Sequence, residues 1–440
     1  MRTLMVQLPT SHFGAQEKVY PLGLARLAAA AGRDLDRRCL DMNIASDPWQ
    51  EFGTLLADFA PDIVALSFRN LDPLAGQQAS YLSSLKTAAS LVRTLRPQAR
   101  ILAGGPAFSL FGEALMAACP EIDIGLVGEG ERVFPLLLAE QLAPAGIPGI
   151  VWRESSALRR NPPGAPVDLN RLPPLELTAF PPEAYGGSNS YVAAIGIEGK
   201  RGCDLCCGYC LYPQLGGRHI RLREPKRIVD EMELLVAEHG LSLFHFTDPV
   251  LNRPEEHFTE LCRELCRRRL DCQWTGFFRE DLVTRENLAL AIDAGLCCVY
   301  FSGDALTDRG LRLLGKQLGE EDLLNGARVT ADLGLLTVSH FLVNLPGESE
   351  SEVERATAML DRLLAIHHPA ANLGAVIFNP VRLYPGAPLT RKLIAAGQLD
   401  AEVNLLYPVY HNPPEFSHVL HDFEARCHRA GVFSRLEMNR

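Results

Sequence analysis

Between Ile197 and Pro213 the chain reads I-E-G-K-R-G-C-D-L-C-C-G-Y-C-L-Y-P, with Cys203, Cys206, Cys207 and Cys210 inside eight residues. Cys203, Cys207 and Cys210 have the spacing C-x3-C-x2-C. Three thiolates in one tight loop can each take one iron of a cubic [4Fe–4S] cluster, leaving the fourth iron without a cysteine and open to a substrate. Lys200 and Arg201 precede the loop and would balance thiolate charge, and Tyr209 stands directly before the third cysteine. Other readings stay open at this point. Cys203, Cys206 and Cys210 form the competing register C-x2-C-x3-C. A zinc knuckle would want a fourth ligand, which Cys206 offers. A disulfide knot is the remaining alternative.

Such a loop needs a rigid carrier. Tyr191 to Glu198 reads as a strand feeding it, and strand-like and helical stretches then alternate. Helical spacing covers Pro225–His239, Pro254–Arg268, Glu286–Ala294, Glu320–Leu333 and Ser351–Leu364. Apolar, strand-like runs cover Leu241–Thr247, Cys272–Phe278, Cys297–Phe301, Leu336–Val343 and Ala375–Asn379. With the strand at Tyr191 to Glu198, six strands and the helices among them fit a partial (β/α)6 barrel of the TIM type, whose site lies at the carboxyl ends of its strands. The strand ends carry Asp248, Arg279, Ser302-Gly303-Asp304 and Asn344-Leu345-Pro346-Gly347-Glu348. Each also has an ordinary reading as a helix cap or turn former.

The cysteine loop resembles that of the radical S-adenosylmethionine (SAM) enzymes, whose motif C-x3-C-x-aromatic-C is matched by Cys203, Cys207, Tyr209 and Cys210. The resemblance implies that these cysteines hold a [4Fe–4S] cluster and that its open iron chelates the amino and carboxylate groups of SAM. An electron from the cluster then cleaves SAM to a 5′-deoxyadenosyl radical. Tyr209 is expected to line the adenine, with Asp248, Arg279, Ser302 and Asn344 as further SAM contacts. Family members often carry Gly-x-Glu-Ser after the fourth strand; here the sequence is Ser302-Gly303-Asp304-Ala305, which makes Asp304 the candidate for that role.

The first 150 residues alternate in the same way. Strands are expected at Leu4–Leu8, ending at Asp41, at Asp62–Phe68, Arg100–Ala103 and Ile122–Val127, with helices at Pro21–Ala31 and Tyr81–Arg96. Alternation of this kind means a doubly wound, Rossmann-like parallel sheet with its ligand at the strand ends. Four segments resemble the cobalamin-binding domain that precedes many radical SAM domains. They are Pro21-Leu22-Gly23-Leu24, Leu66-Ser67-Phe68-Arg69-Asn70, Ala103-Gly104-Gly105-Pro106 and Val127-Gly128-Glu129-Gly130-Glu131. The cobalamin contacts implied are Ser67, Phe68, Arg69, Asn70, Gly104, Gly105, Pro106, Gly128, Glu129, Gly130 and Glu131. A Gly-Gly pair lets a bulky nucleotide tail lie against backbone. Cobalamin domains that bind through histidine carry Asp-x-His-x-x-Gly after the first strand. Here Thr10-Ser11-His12-Phe13-Gly14 lacks the Asp and has a shorter spacing, and Asn43 rather than His follows the second strand. The expectation is cobalamin without a histidine on cobalt, with Arg69 near its lower face.

Bulk properties set outer limits. The chain has 440 residues, 47% hydrophobic and 22% charged, and a net charge of −10, ordinary values for a globular protein of two to three domains. A nucleic-acid surface is not expected from that charge, although residues 218–227 are locally basic. No apolar run is long enough for a membrane span, and no signal peptide is seen. The twelve cysteines are therefore read in a reducing cytoplasm as metal ligands or buried thiols. Cys262 and Cys266 share a helix face and are read as buried thiols, as are Cys297 and Cys298 in a strand.

The expected organisation is a cobalamin-binding domain at 1–150, a proline-rich extended linker at 151–188, a radical SAM barrel at 189–395 and a C-terminal capping segment at 396–440 with a helix at Ser417–Arg429. The resemblance implies a cobalamin-dependent radical SAM enzyme. The radical would abstract hydrogen from an unactivated carbon of a small-molecule or peptide substrate, and methylcobalamin would supply a methyl group. Ring closure or rearrangement with the same cofactors is the alternative outcome, and a cobalamin- or metal-binding sensor the non-enzymatic one. An electron donor such as flavodoxin or ferredoxin is implied, and no membrane partner.

Overall fold

The computed structural model describes residues 1–9, 18–73, 79–155, 157–186 and 192–434. They form two compact units: residues 1–196 with 214–216 and 406–408, and the remainder from 197 onward.

The first unit runs β1 (Thr3–Gln7), α1 (Leu22–Ala30), β2 (Arg37–Asp41), α2 (Pro48–Asp58), β3 (Ile63–Ser67), α3 (Leu82–Leu95), β4 (Arg100–Gly104), α4 (Pro106–Ala118), β5 (Ile124–Leu126), α5 (Gly130–Ala139), β6 (Ile150–Glu154) and β7 (Ala157–Arg160). The sheet order is β2-β1-β3-β4-β5-β6-β7. Strands β1 to β5 pair in parallel, and β6 and β7 add antiparallel. β1 is buried at every position, as a central parallel strand covered on both faces must be. Register aligns Asp41, Gln7, Ser67 and Gly104 in one row at the carboxyl ends of four strands. One expectation changes here. The start of the extended linker expected at 151–188 instead adds to the sheet as the antiparallel strands β6 and β7, with Ile150 and Val151 buried. Their alternation is too short to stand out from the prolines that follow. Proline-rich chain does follow, and Phe180 and Tyr185 from it are buried in this unit.

The second unit runs β8 (Ile195–Ile197), β9 (Lys200–Arg201), α6 (Tyr212–Leu215), β10 (Arg221–Leu222), α7 (Pro225–His239), β11 (Leu243–Phe246), α8 (Glu255–Arg268), β12 (Gln273–Phe278), α9 (Arg285–Asp293), β13 (Leu296–Asp304), α10 (Asp308–Leu314), α11 (Glu320–Asp332), β14 (Leu336–Val343), α12 (Glu350–His367), β15 (Leu373–Arg382), α13 (Pro388–Ala395), β16 (Tyr410–His411), α14 (Ser417–Arg429) and β17 (Phe433–Ser434). The main sheet has the order β16-β15-β14-β13-β12-β11-β8, parallel from β11 to β15. β17 joins β15 in parallel, a pairing between distant segments that no local pattern announces.

Local chemistry explains the helix ends. Thr284 and Asn287 form a capping box on α9, satisfying donors at its first turn. α8 carries Glu255 and Glu256 in its first turn and Arg267 and Arg268 in its last, matching the helix dipole. Gly240 and Gly315 close α7 and α10 in the left-handed region, where glycine avoids the Cβ clash. Leu311, Leu324, Met359, Leu360, Phe378, Phe423 and Cys427 pack together between strands and helices. α14 thus contributes to the core of this unit. Burial of such side chains at roughly 1.5–3 kcal/mol each helps keep the strand ends in place.

Candidate functional site

The cysteine loop leaves β9 and is tied down by backbone at several points. Cys203 N donates to Gly217 O (3.0 Å), Gly208 N to Leu314 O (2.7 Å) and Leu389 N to Gly208 O (2.8 Å). Cys203 is buried with Leu205 and Val250, and Cys207 packs beside them. Burial pushes the thiols of Cys203, Cys207 and Cys210 upward, Cys210 to about 12, and the neighbouring thiols add to the rise at Cys207 and Cys210. Those three sulfurs therefore share one neighbourhood. Cys206 is exposed, and its Sγ lies 3.3 Å from Arg218 Nη1. Among the described residues no three His, Cys, Asp or Glu side chains converge at the spacing of a single-ion site. A cluster sets each thiolate on its own iron, so its ligands stand further apart.

Lys316 gathers several strand-end residues beneath this loop. Its ammonium donates to Asp304 Oδ2 (2.7 Å) and to the Ser302 carbonyl, and Tyr209 Oη donates to Asp304 Oδ2. Burial pulls the Lys316 ammonium down, but Asp304, Cys207 and Glu280 together leave it raised. Arg279 donates to Lys316 O (2.9 Å), Gln317 O (3.2 Å) and both oxygens of Asp281 (2.8 Å each). Glu280 is buried beside β13, and its Oε2 has no hydrogen-bond partner among the described residues. Burial pushes its carboxyl up to about 7, opposed by Lys316. Asp304 holds φ 62°, a left-handed value that a residue other than glycine adopts only when its surroundings enforce it.

Asp248 and Asn344 sit in separate groups. Asp248 accepts from the backbone N–H groups of Gly199 (2.8 Å) and Lys200 (3.1 Å), with Lys200 Nζ at 3.9 Å. Burial raises it to about 6. It grips the chain as it enters the cysteine loop. Asn344, at φ 58°, donates to Asn412 Oδ1 and accepts at its carbonyl from His411 Nδ1 (2.8 Å). Lys316 and Glu280 are charged groups that the strand-end pattern of the sequence does not single out, whereas Lys200, expected to balance thiolate charge, lies 3.9 Å from Asp248. Lys316 follows a helix C-cap, so a glycine in the left-handed region followed by lysine was the available signal.

In the first unit the expected residues all lie at the carboxyl ends of β3, β4 and β5. Ser67 Oγ donates to Gln7 Oε1 (3.0 Å), and the buried Gln7 Nε2 has no partner among the described residues. Phe68 N donates to Gly104 O (2.8 Å), and Ala107 N to Arg69 O (3.1 Å), which seats Asn70 close by. Gly105 has φ 102°, and a Cβ there would lie 2.8 Å from Phe68 O. Pro106 opens α4. Gly128, also at positive φ, faces open space, and its N–H donates to Ser109 Oγ (2.9 Å). Glu129 Oε2 accepts from Val167 N (2.8 Å), while Gly130 and Glu131 form the first turn of α5. At the end of β2, Asp41 accepts from Tyr185 Oη (2.9 Å) and Asn43 Nδ2 (2.7 Å), burial raising its pKa and Arg69 opposing. The open face at Gly128, the backbone contact at Gly105 and the orphaned amide of Gln7 suit a large ligand with hydrogen-bonding amides. His12 lies outside the described residues.

The B12 binding domain model matches residues 15–138, and the Radical SAM superfamily model matches residues 197–360. The chain is a B12-binding radical SAM enzyme. Its cofactors are accordingly SAM, a [4Fe–4S] cluster and cobalamin. The chain is 26% identical over 406 residues to an uncharacterized methyltransferase of Pyrococcus horikoshii, covering 90% of this chain and 83% of that one. It is 27% identical over 285 residues to the anaerobic magnesium-protoporphyrin IX monomethyl ester cyclase of Rubrivivax gelatinosus, and there spans half of the relative's length. In fold it is similar to the radical SAM methyltransferase TsrM of Kitasatospora setae, solved with cobalamin and a [4Fe–4S] cluster (TM-score 0.73, 24% identity, covering 90% of this chain and 75% of that one). No helix among the described residues is long and apolar enough to cross a membrane.

Proposed function

We propose that this B12-binding radical SAM enzyme transfers a methyl group to an unactivated carbon of a small-molecule or peptide substrate. Cys203, Cys207 and Cys210 hold the cluster, and Cys206 stays outside it. The observation that carries this reading is the single loop in which Cys207 packs beside the buried Cys203 and both act on Cys210, while the exposed Cys206 meets Arg218. When bound, the cluster with SAM supplies hydrogen abstraction and cobalamin the methyl group.

The chain's own residues hold these groups in register. Tyr209, fixed by Asp304, lines the adenine, and Ser302, Arg279 and Asn344 contribute further SAM contacts. Lys316 pairs with Asp304 in a buried place, which keeps the network aligned. Asp248 fixes the backbone entering the cluster loop. In the first unit, Ser67 to Asn70, Gly104 to Pro106 and Gly128 to Glu131 cradle the cobalamin. We place the protein in a reducing cytoplasm, with reduced flavodoxin or ferredoxin as the electron source.

The test is anaerobic reconstitution with iron, sulfide and cobalamin, followed by SAM and dithionite. 5′-Deoxyadenosine must form, and SAM carrying a deuterated methyl group must label the product. The similarity to the cyclase favours a second reading, oxidative ring closure. That reaction would give 5′-deoxyadenosine and a product without the label.

A further inference from the structure

The basic run at residues 218–227 takes no part in the function argued above. It carries Arg218, Arg221, Arg223, Lys226 and Arg227 against one carboxylate, Glu224. Arg223 is buried, 3.0 Å from Glu231 and 2.7 Å from the Glu198 carbonyl, so it braces the fold. Arg218, Lys226 and Arg227 are exposed, and Arg221 is half-buried. Arg227 lies 3.3 Å from Glu224, but both side chains are more than half exposed, and such pairs hold weakly.

Two contacts tie the run to the cysteine loop. Arg221 pairs with Arg201 in the β9–β10 ladder, and Arg218 reaches Cys206 Sγ. Cys206 is the exposed thiol of that loop; the other three are buried or half-buried. Arg218 and Arg221 therefore stand beside the segment assigned to the cluster, and Lys226 and Arg227 follow them in the chain. The chain as a whole carries −10. A local surplus of cations on an acidic protein sets the direction from which an acidic partner approaches.

We infer that this face is the docking surface for an acidic, low-potential, one-electron carrier protein. The inference rests on the reading that Cys203, Cys207 and Cys210 hold a reducible cluster. The carrier loses one electron and the oxidised cluster gains it; no bond forms or breaks and no proton moves. Charge pairing at a small interface gives fast encounter and fast release, as repeated electron delivery requires.

Flavodoxin hydroquinone is the probe. Holoenzyme is mixed with it anaerobically, and bleaching of the cluster is followed by stopped flow at rising NaCl concentration. The double variant Lys226→Glu/Arg227→Glu removes cations that touch no thiol, and Arg218→Glu removes the one beside Cys206. The bimolecular rate constant should fall about tenfold or more in the double variant, while bleaching by dithionite stays within about twofold. The wild-type rate should fall with salt. Arg218→Glu should slow flavodoxin more than dithionite. An unchanged flavodoxin rate in the double variant overturns the inference, as does a wild-type cluster that dithionite bleaches and flavodoxin does not. Equal losses with both reductants overturn it too, because they mark damage to the loop. If the double variant loses tRNA retention on a native gel but keeps its flavodoxin rate, the patch is a nucleic-acid surface and the inference falls. Normal bleaching without 5′-deoxyadenosine would refute the proposed function and leave the docking surface standing.

Discussion

At the strand ends of the first unit, the groups are mostly backbone and neutral side chains, at Gly104, Gly105, Gly128, Gln7, Ser67 and Asn43, with Asp41, Arg69, Glu129 and Glu131 as the charged exceptions. At those of the second unit, buried charges dominate. Lys316 meets Asp304, Lys200 meets Asp248, Arg279 meets Asp281, and Glu280 stands nearby. The physical demands differ accordingly. A large cofactor rich in amides needs surface shape and hydrogen bonds, which glycine-opened backbone supplies. SAM is a compact zwitterion with a sulfonium, and a cluster changes charge on reduction, so fixed charges count for more there.

The largest expected break between the two regions comes from the cysteines. Alanine at Cys203, Cys207 or Cys210 should abolish the brown absorbance at roughly 400 nm that thiolate–iron charge transfer gives. Cobalamin binding should persist in all three, and Cys206→Ala should keep the brown colour. A colourless Cys206→Ala protein would select the other register.

Lys316→Met tests the charged network. Removing one partner of a buried ion pair costs about 3–5 kcal/mol, because the remaining charge is stranded. Urea unfolding at pH 7 should show a loss of that order, and Lys316→Met/Asp304→Asn should recover a good part of it. No recovery would mean that the two side chains do not act as a pair.

Glu280→Gln tests the same region through pH. Its carboxyl, held at about 7 by burial with Lys316 opposing, lies above the ordinary value of 4.5. Between those values the native state keeps a proton that the unfolded chain has lost. Stability therefore falls as pH rises from about 4.5 to 7, by an amount on the order of 3 kcal/mol. Glutamine should flatten that slope and raise stability at pH 8 relative to wild type. An unchanged slope in denaturation midpoints from pH 5 to pH 8 would show that the carboxyl is not strained.

These residues also mark what the chain alone discloses. The cysteine spacing, the parallel strands and the helix at Ser417–Arg429 follow from local pattern and are legible directly. Lys316 and Glu280 are not, because a lysine after a helix cap and a glutamate after a strand look like surface groups. The packing of Glu280 against Gly303 and Gly326, with Leu323 and Phe341 beside Gly303, makes that position interior. The strand at Phe433–Ser434 was hidden for a related reason, since its partner is distant in the chain.

Gly105→Ala probes the backbone-built site. With φ 102° and ψ 174°, Gly105 occupies a region essentially closed to other residues, and a Cβ would press on Phe68 O at 2.8 Å. The strain should cost about 1–3 kcal/mol. It should weaken cobalamin retention on gel filtration while the cluster absorbance stays. Equal loss of both would mean that the substitution unfolds more than the cradle.

The smallest expected effect is at the cobalt itself. The segment after β3 runs Phe68-Arg69, and Ala107 N holds the Arg69 carbonyl, so that loop is fixed against the start of α4. The Arg69 guanidinium lies close enough to Asp41 to oppose the rise in its pKa, which places a permanent cation near the strand ends that would meet the corrin. Arginine keeps its proton in proteins and offers no lone pair to a metal. Asn43, where the second strand ends, is occupied with Asp41 and the Leu8 carbonyl. Arg69 and Asn43 would thus offer a bound cobalt no nitrogen ligand, which would ease its reduction. EPR of the cob(II)alamin form should then show cobalt lines without nitrogen superhyperfine triplets, and His12→Ala should leave the spectrum unchanged. Triplets that vanish in His12→Ala would make His12 the axial ligand. Triplets that appear only in Arg69→Ala would show that the cation is what keeps nitrogen away.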